Sequence, residues 1–353
     1  MTSGAQPLVF DGHNDVLLQL SRTGGVAGAE VFQTGREGHI DIPRATAGGF
    51  GGGFFAIFAP SPGNKATRHA EMAKPSYDVP LPAPIPQPQA LAEAMRQVAI
   101  LNRLETLGAL KICRTAAEIR ACLDAGTIAA ILHVEGAEAI DPDFHVLDVL
   151  YRAGLRSIGP VWSRPTIFGH GVPFRYPSSP DTGPGLTDHG LRLVERCNEM
   201  GILIDLSHLN EAGFWDVARA SNAPLVATHS NAHAICPHSR NLSDNQLRAI
   251  ADSDGMVGLN FAVAFLRDDG RMIDDVPLGQ MLRHIDHLLG ILGEDGVGLG
   301  SDFDGATVPK ELDSAAGLPK LRRAMAEHQY GEALIEKLCH GNWLRVLEKT
   351  WGA

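Results

Sequence analysis

Several histidines and carboxylates of this chain stand where apolar runs end, a placement that surface polarity alone does not require. Phe10-Asp-Gly-His-Asn-Asp15 closes the first such run and holds His13 and Asp15 two residues apart. On an extended backbone such a pair points to one side, with Cα atoms about 6.5–7 Å apart. An imidazole and a carboxylate that converge in this way make half of a divalent metal site. The arrangement returns at His133-Val-Glu135, Asp205-Leu-Ser-His208, Thr228-His229 and Ser301-Asp-Phe-Asp304. Two ions about 3.5–4 Å apart can hold a bridging hydroxide at neutral pH and polarise a carbonyl. His13 and Asp15 suit one ion, His208 and His229 the other, with Glu135 bridging through its two oxygens. The imidazole-plus-carboxylate mix favours Zn²⁺, and Mn²⁺ and Co²⁺ are compatible with it.

Bringing residues so distant in sequence together is a task for the fold. Short apolar runs recur at Pro7–Phe10, Phe54–Phe58, Ala129–Val134, Ser157–Val161, Ile202–Leu206, Leu225–Ala227, Met256–Phe261 and Val297–Gly300. Runs of this length suit strands buried on both faces of a parallel sheet. Helix signals fill the gaps: an apolar stripe at Leu91, Met95, Val98 and Leu101, capping-box starts at Thr115–Glu118 and Ser243–Gln246, and stops at Gly126 and Gly201. Eight strands alternating with helices predict an α/β fold, a closed (β/α)8 TIM barrel, whose strand ends converge on one mouth. No G-x-G-x-x-G turn follows the first strand, and the glycines of Gly48–Gly53 precede an apolar segment, so neither a dinucleotide fold nor a phosphate loop is expected. Pro60–Gln89, with prolines at 75, 80, 82, 84, 86 and 88, is expected to form neither helix nor central strand. It reads as a long excursion after the second strand, within one domain spanning 1–353.

Composition narrows the class. The 353 residues carry 41 acidic and 30 basic side chains, a formal charge of −11, with no basic run for gripping nucleic acid. No stretch reaches the roughly 18–20 apolar residues of a membrane span, and the start MTSGAQPLVF lacks the pattern of a signal peptide. Five widely spaced cysteines, none in a C-x-x-C pair, fit a reduced, cytoplasmic setting.

Taken in order, DGHND (Asp11–Asp15), VEG (Val134–Gly136), DLSH (Asp205–His208), THS with SRN (Thr228–Ser230, Ser239–Asn241) and GSDFDG (Gly300–Gly305) resemble the renal (membrane) dipeptidases, metallopeptidase family M19, among the amidohydrolase-like barrels. The resemblance implies a binuclear zinc site with ligands at His13, Asp15, Glu135, His208 and His229. It implies that Arg240 receives the substrate's free carboxylate, a task suited to a guanidinium fork. Asp302 matches the catalytic aspartate that passes a proton from the attacking hydroxide to the leaving amine, and Asp304 is then a turn or supporting residue. A small dipeptide substrate, with a D-configured C-terminal residue allowed, and a homodimer are implied in the same way.

The chain departs from that pattern at one informative place. Renal members carry, after strand four, a histidine that contacts substrate near the attacked carbonyl, and Trp162 stands there in this sequence. His170 is the nearest candidate to take its part. Asn260-Phe-Ala262 occupies the place of a tyrosine after strand seven. The Trp162 position keeps a second reading alive, in which the same metal pair cleaves an N-acyl amino acid, another amide, an ester or a lactone. A metal-bound protein without catalysis is the third. Of the remaining groups, His133 is expected to support the ligands, Asp205 to orient His208 or cap its strand, and His233 and His238 to lie on the surface.

Overall fold

The computed structural model describes residues 6–61 and 65–352; residues 1–5, 62–64 and 353 lie outside it, including part of the Pro60–Gln89 excursion. Every one of the predicted apolar runs becomes a strand. These are β1 (Val9–Asn14), β2 (Phe50–Phe58), β3 (Ala129–Glu135), β4 (Leu155–Gly159), β5 (Leu203–Ile204), β6 (Val226–Ser230), β7 (Met256–Asn260) and β8 (Val297–Gly300). They pair in parallel in the order β5-β4-β3-β2-β1-β8-β7-β6. A parallel bridge between Asp205 and Val226 joins the two ends, so the sheet closes into a (β/α)8 barrel. Lys111–Ile112 adds a short strand beside β3. The Gly-rich run ends the helix Ile42–Gly48 and, from Phe50 on, lies inside β2 rather than at a helix start.

Phe10, Phe54, Ile131, Leu203, Val226 and Met256 form a buried cluster around Trp343, which the helix Asn342–Trp351 delivers. The indole needs bare backbone beside it, since a Cβ on Gly12 would lie 2.5 Å from its ring. A larger apolar layer packs helices onto the outside of the strands. The predicted caps are present: the Thr115 side chain accepts from Glu118 N–H, Ser243 and Gln246 form a reciprocal capping box, and Gly126 and Gly201 end their helices at φ 68° and 62°.

Two expectations are corrected. Met95 is exposed, because the buried stripe of helix Gln87–Thr106 runs through Ala90, Ala94, Val98, Leu101 and Leu104. The excursion also contains regular structure. Helix Lys65–Met72 occupies its proline-free stretch, and Tyr77–Val79 pairs antiparallel with Phe174–Tyr176 in a ribbon apart from the barrel. Pro88 sits in the first turn of its helix, where a missing N–H costs no hydrogen bond.

Candidate metal centre

The ends of β1, β3 and β6 and the loops after β5 and β8 meet at one pole of the barrel. Glu135 Oε1 lies 3.0 Å from His208 Nε2, 3.5 Å from His229 Nε2 and 3.7 Å from His13 Nε2. His13 Nε2 is 3.5 Å from Asp15 Oδ2, and the Nε2 atoms of His208 and His229 are 3.2 Å apart. The donor sets His13/Asp15/Asp302 and Glu135/His208/His229 each fall within 4.8 Å, as does the overlapping set His13/Asp205/His229. Asp15 reaches its place by a route the sequence spacing did not show. The backbone leaves the extended conformation after a register shift in β1, and Asp15 is the N-cap residue of helix Val16–Thr23. Its carboxylate makes no capping hydrogen bond and stays available to the cluster.

Electrostatics describe a pocket built for cations. Both ring nitrogens of His13 are buried without a hydrogen-bond partner, a costly condition that a ligated cation relieves. Burial opposes protonation of His13, but the carboxylates of Glu135, Asp15 and Asp302 outweigh it and raise the imidazole to about 10. His208 and His229 are held well below the usual range, first by burial and then by the positive charges of Arg240 and His13. Neutral imidazole is the ligating form. Glu135 is pushed well above the carboxylate range by burial, with His13 opposing and Asp15 and Asp302 adding to the rise. Donor types, convergence and the orphaned nitrogens together fit divalent metal ions.

Outer partners set which nitrogen faces inward. Thr228 Oγ1 donates to Asp205 Oδ2 at 2.6 Å and therefore accepts from His229 Nδ1 at 2.8 Å, leaving Nε2 as the free lone pair. Ser163 Oγ lies 2.9 Å from His208 Nδ1 and holds that ring in orientation. Such partners fix ring orientation and ligand basicity. Asp205 therefore acts on His229 through Thr228, and not on His208. His133 sits beside the cluster, 2.9 Å from Ser157 Oγ and edge-on to His13. Ser163 and Thr228 were missed as supports because a hydroxyl beside a histidine carries no distinctive spacing.

Asp302 adopts φ 57° and His208 φ 71°, left-handed conformations that carry backbone strain of order 1–3 kcal/mol. Asn260 Nδ2 donates to Asp302 Oδ2 at 3.0 Å and so positions the aspartate. Burial raises Asp302, opposed by His13 and Asn260 and reinforced by Asp15. Gly305 is bare because a Cβ there would collide with the carboxylates of Asp15 and Asp302. Asp304 turns away to Arg36 Nη1 at 2.8 Å and His39 N–H at 2.8 Å, a supporting role.

Above the cluster opens a cavity of about 560 Å³, walled by Glu135, His208, Asp302, Trp162, Phe174 and Arg68 among others. Trp162 is therefore on its wall, packed against Phe58, Phe174 and His208. His170 is not: its Nδ1 bonds to the Gly185 carbonyl at 3.2 Å, which ties the ring to the loop and away from the cavity. Arg240 is buried beside the floor rather than on the wall, donating to the His229 carbonyl at 2.9 Å and to Ser230 Oγ at 3.3 Å, with Nε unpartnered. His238 is buried rather than on the surface, packed among Phe265, Tyr77 and Phe174.

Comparison with known proteins agrees with this geometry. The profile of the membrane dipeptidase family (peptidase family M19) matches residues 5–351. A Klebsiella pneumoniae protein, named only by its position in the pqqA 5′ region, is 50% identical over 258 residues, which cover 72% of this chain and 95% of that protein. A crystal structure of a metallo peptidase from Rhodobacter sphaeroides, liganded with a phosphinate mimic of the dipeptide L-Ala-D-Ala, superposes with a TM-score of 0.96 at 54% identity, covering 98% of this chain and 100% of that one. The dipeptidase AC, a metallo peptidase of family M19, has the same TM-score and identity, with 99% and 100% covered. No helix among the described residues is long and apolar enough to cross a membrane. A barrel mouth with paired donor sets, matched along nearly its whole length, makes this chain a member of the membrane dipeptidase family, peptidase family M19, and a metallo-dipeptidase of that family.

Proposed function

We propose that this chain is a binuclear zinc dipeptidase whose ions are held by His13, Asp15, Glu135, His208 and His229, with Glu135 shared between them. The observation that carries this reading is the convergence of three imidazole Nε2 atoms on Glu135 Oε1 within 3.0–3.7 Å. Zinc held by these residues would supply a hydroxide nucleophile at neutral pH and polarise the scissile carbonyl. Asp302, oriented by Asn260, takes the proton of the attacking hydroxide and delivers it to the leaving amine. Arg240, buried beside the cavity floor with its Nε unpartnered, is assigned to the terminal carboxylate of the substrate on the family resemblance. Trp162 and Phe174 form an apolar wall against which a small side chain packs. The ligand of the Rhodobacter sphaeroides relative supports a dipeptide substrate and the acceptance of a D-configured C-terminal residue.

We read residues 1–353 as one domain carrying this activity. Five free, buried cysteines support a cytoplasmic setting, and the homodimer is inferred from family resemblance. The aromatic wall equally favours an N-acyl amino acid as a second substrate class. A library of L,L and L,D dipeptides set against N-acyl amino acids, on zinc-loaded protein, separates the two. Cleavage confined to N-acyl compounds overturns the dipeptidase reading, and metal analysis that finds fewer than two ions per chain overturns the binuclear one.

A further inference from the structure

The cavity rim carries a charge pattern that binding a simple dipeptide does not require. Arg68, from helix Lys65–Met72 in the excursion, lines the cavity with its guanidinium carbon 5.6 Å from the ring centres of both Trp162 and Phe174. Among the described residues it has no carboxylate partner and no side-chain hydrogen bond, and Arg22, also on the cavity wall, has none either. The acids of the rim are each neutralised. Glu71 pairs with Lys74 at 2.6 Å, Asp78 with Arg175 at 2.8 Å and Asp304 with Arg36 at 2.8 Å. The deep carboxylates Asp15 and Glu135 belong to the metal cluster, and Asp302 bonds Asn260. The rim therefore keeps two guanidiniums with no hydrogen-bonded carboxylate; after burial, Arg22 pushes the Arg68 guanidinium downward in its affinity for a proton, and the Asp302 carboxylate on the same cavity opposes that push.

Two like-charged guanidiniums left unpaired beside one another attract an anion, and the flat faces of Trp162 and Phe174 hold Arg68 in place without consuming its N–H donors. With the terminal carboxylate of a dipeptide assigned to Arg240, the group left for Arg68 is a second carboxylate. We propose that Arg68 is a specificity-determining residue that binds the side-chain carboxylate of an acidic residue in the dipeptide, with Arg22 strengthening the local field. The proposal rests on the dipeptidase reading above and names the substrate class within it.

The test compares Ala-Glu with Ala-Gln and Glu-Ala with Gln-Ala, pairs that differ in charge and little in shape. Parent enzyme is expected to favour one Glu member by roughly tenfold or more in kcat/KM, mainly through KM, and whichever pair shows it identifies the position of the acidic residue. In Arg68→Gln that ratio should fall toward one, and in Arg68→Lys part of it should return. A purely structural role would lower both members together and leave the ratio intact. Calorimetric titration of the same dipeptides into Asp302→Asn protein, alone and combined with Arg68→Gln, reads the preference as affinity without turnover. Equal affinity for Glu and Gln members in parent-like protein, or a preference that survives Arg68→Gln, overturns the proposal. Absence of hydrolysis with a retained Arg68-dependent affinity difference would overturn the dipeptidase reading alone.

Discussion

The floor and the rim of the cavity are built on opposite principles. On the floor, His13, Glu135, His208 and His229 come from barrel strands or their immediate ends, all are buried, and Asp205, Thr228 and Ser163 hold the orientation of His208 and His229. On the rim, Arg68 and Arg22 come from helices outside the sheet, and their side chains make no hydrogen bond or ion pair among the described residues. The difference teaches how labour divides in this fold. Parallel strands bonded on both sides hold donors to the tolerance a metal demands, while an inserted segment is free to change what is admitted.

The largest effect should come from the floor. Glu135→Gln removes the proposed shared ligand, and kcat/KM for any dipeptide is expected to drop more than about a thousandfold together with bound metal, beyond the 10–100-fold that outer partners command; retained stoichiometric metal by elemental analysis would break the assignment. Asp302→Asn should keep both metals and lose about 10²–10⁴-fold in kcat, the usual span for a removed general base, and activity near the parent would refute its role. Glu138→Ala tests the tie between the regions, because Glu138 neutralises the buried Arg164, which also bonds Ser61 Oγ and the Ala59 carbonyl at the root of the excursion. Leaving that guanidinium unpaired should destabilise the fold by about 3–5 kcal/mol in denaturant unfolding. Ser163→Ala and Thr228→Val, which free the His208 and His229 rings to turn, should weaken zinc binding by about 10–100-fold in chelator competition. At the rim, Arg22→Gln should change the ratio of acidic to neutral substrates by no more than about threefold, and less at high salt, since it acts through solvent.

Much of the floor was legible before any coordinates. Apolar runs bounded by glycine or aspartate located every barrel strand, because a strand buried on both faces leaves an uninterrupted local signature. The caps at Thr115 and Ser243 were legible for a similar reason, since a helix start needs its acceptor within three residues. Asp15 was placed in the right cluster by the wrong geometry, because a register shift in β1 cannot be seen in side-chain types. His170 was named for its proximity in sequence to Trp162, yet the loop that carries it turns toward Gly185. Ser163 and Arg68 escaped notice, and Asn260 was noted without a role, because a hydroxyl, an isolated arginine and an amide are common and acquire meaning only from what stands across from them.

The order of residue types along this chain determined that eight strands would form, that histidines and acids would cap them at one pole, and that a proline-rich segment would be set apart from the sheet. These are local properties, written by burial period and backbone preference over a few neighbouring positions. Tertiary structure alone decided that Asp205 steadies His229 and not His208, that Arg240 lies beside the floor, and that a guanidinium from the excursion faces the cavity. Those outcomes depend on distances between groups tens or hundreds of residues apart, and such distances exist only once the barrel has closed.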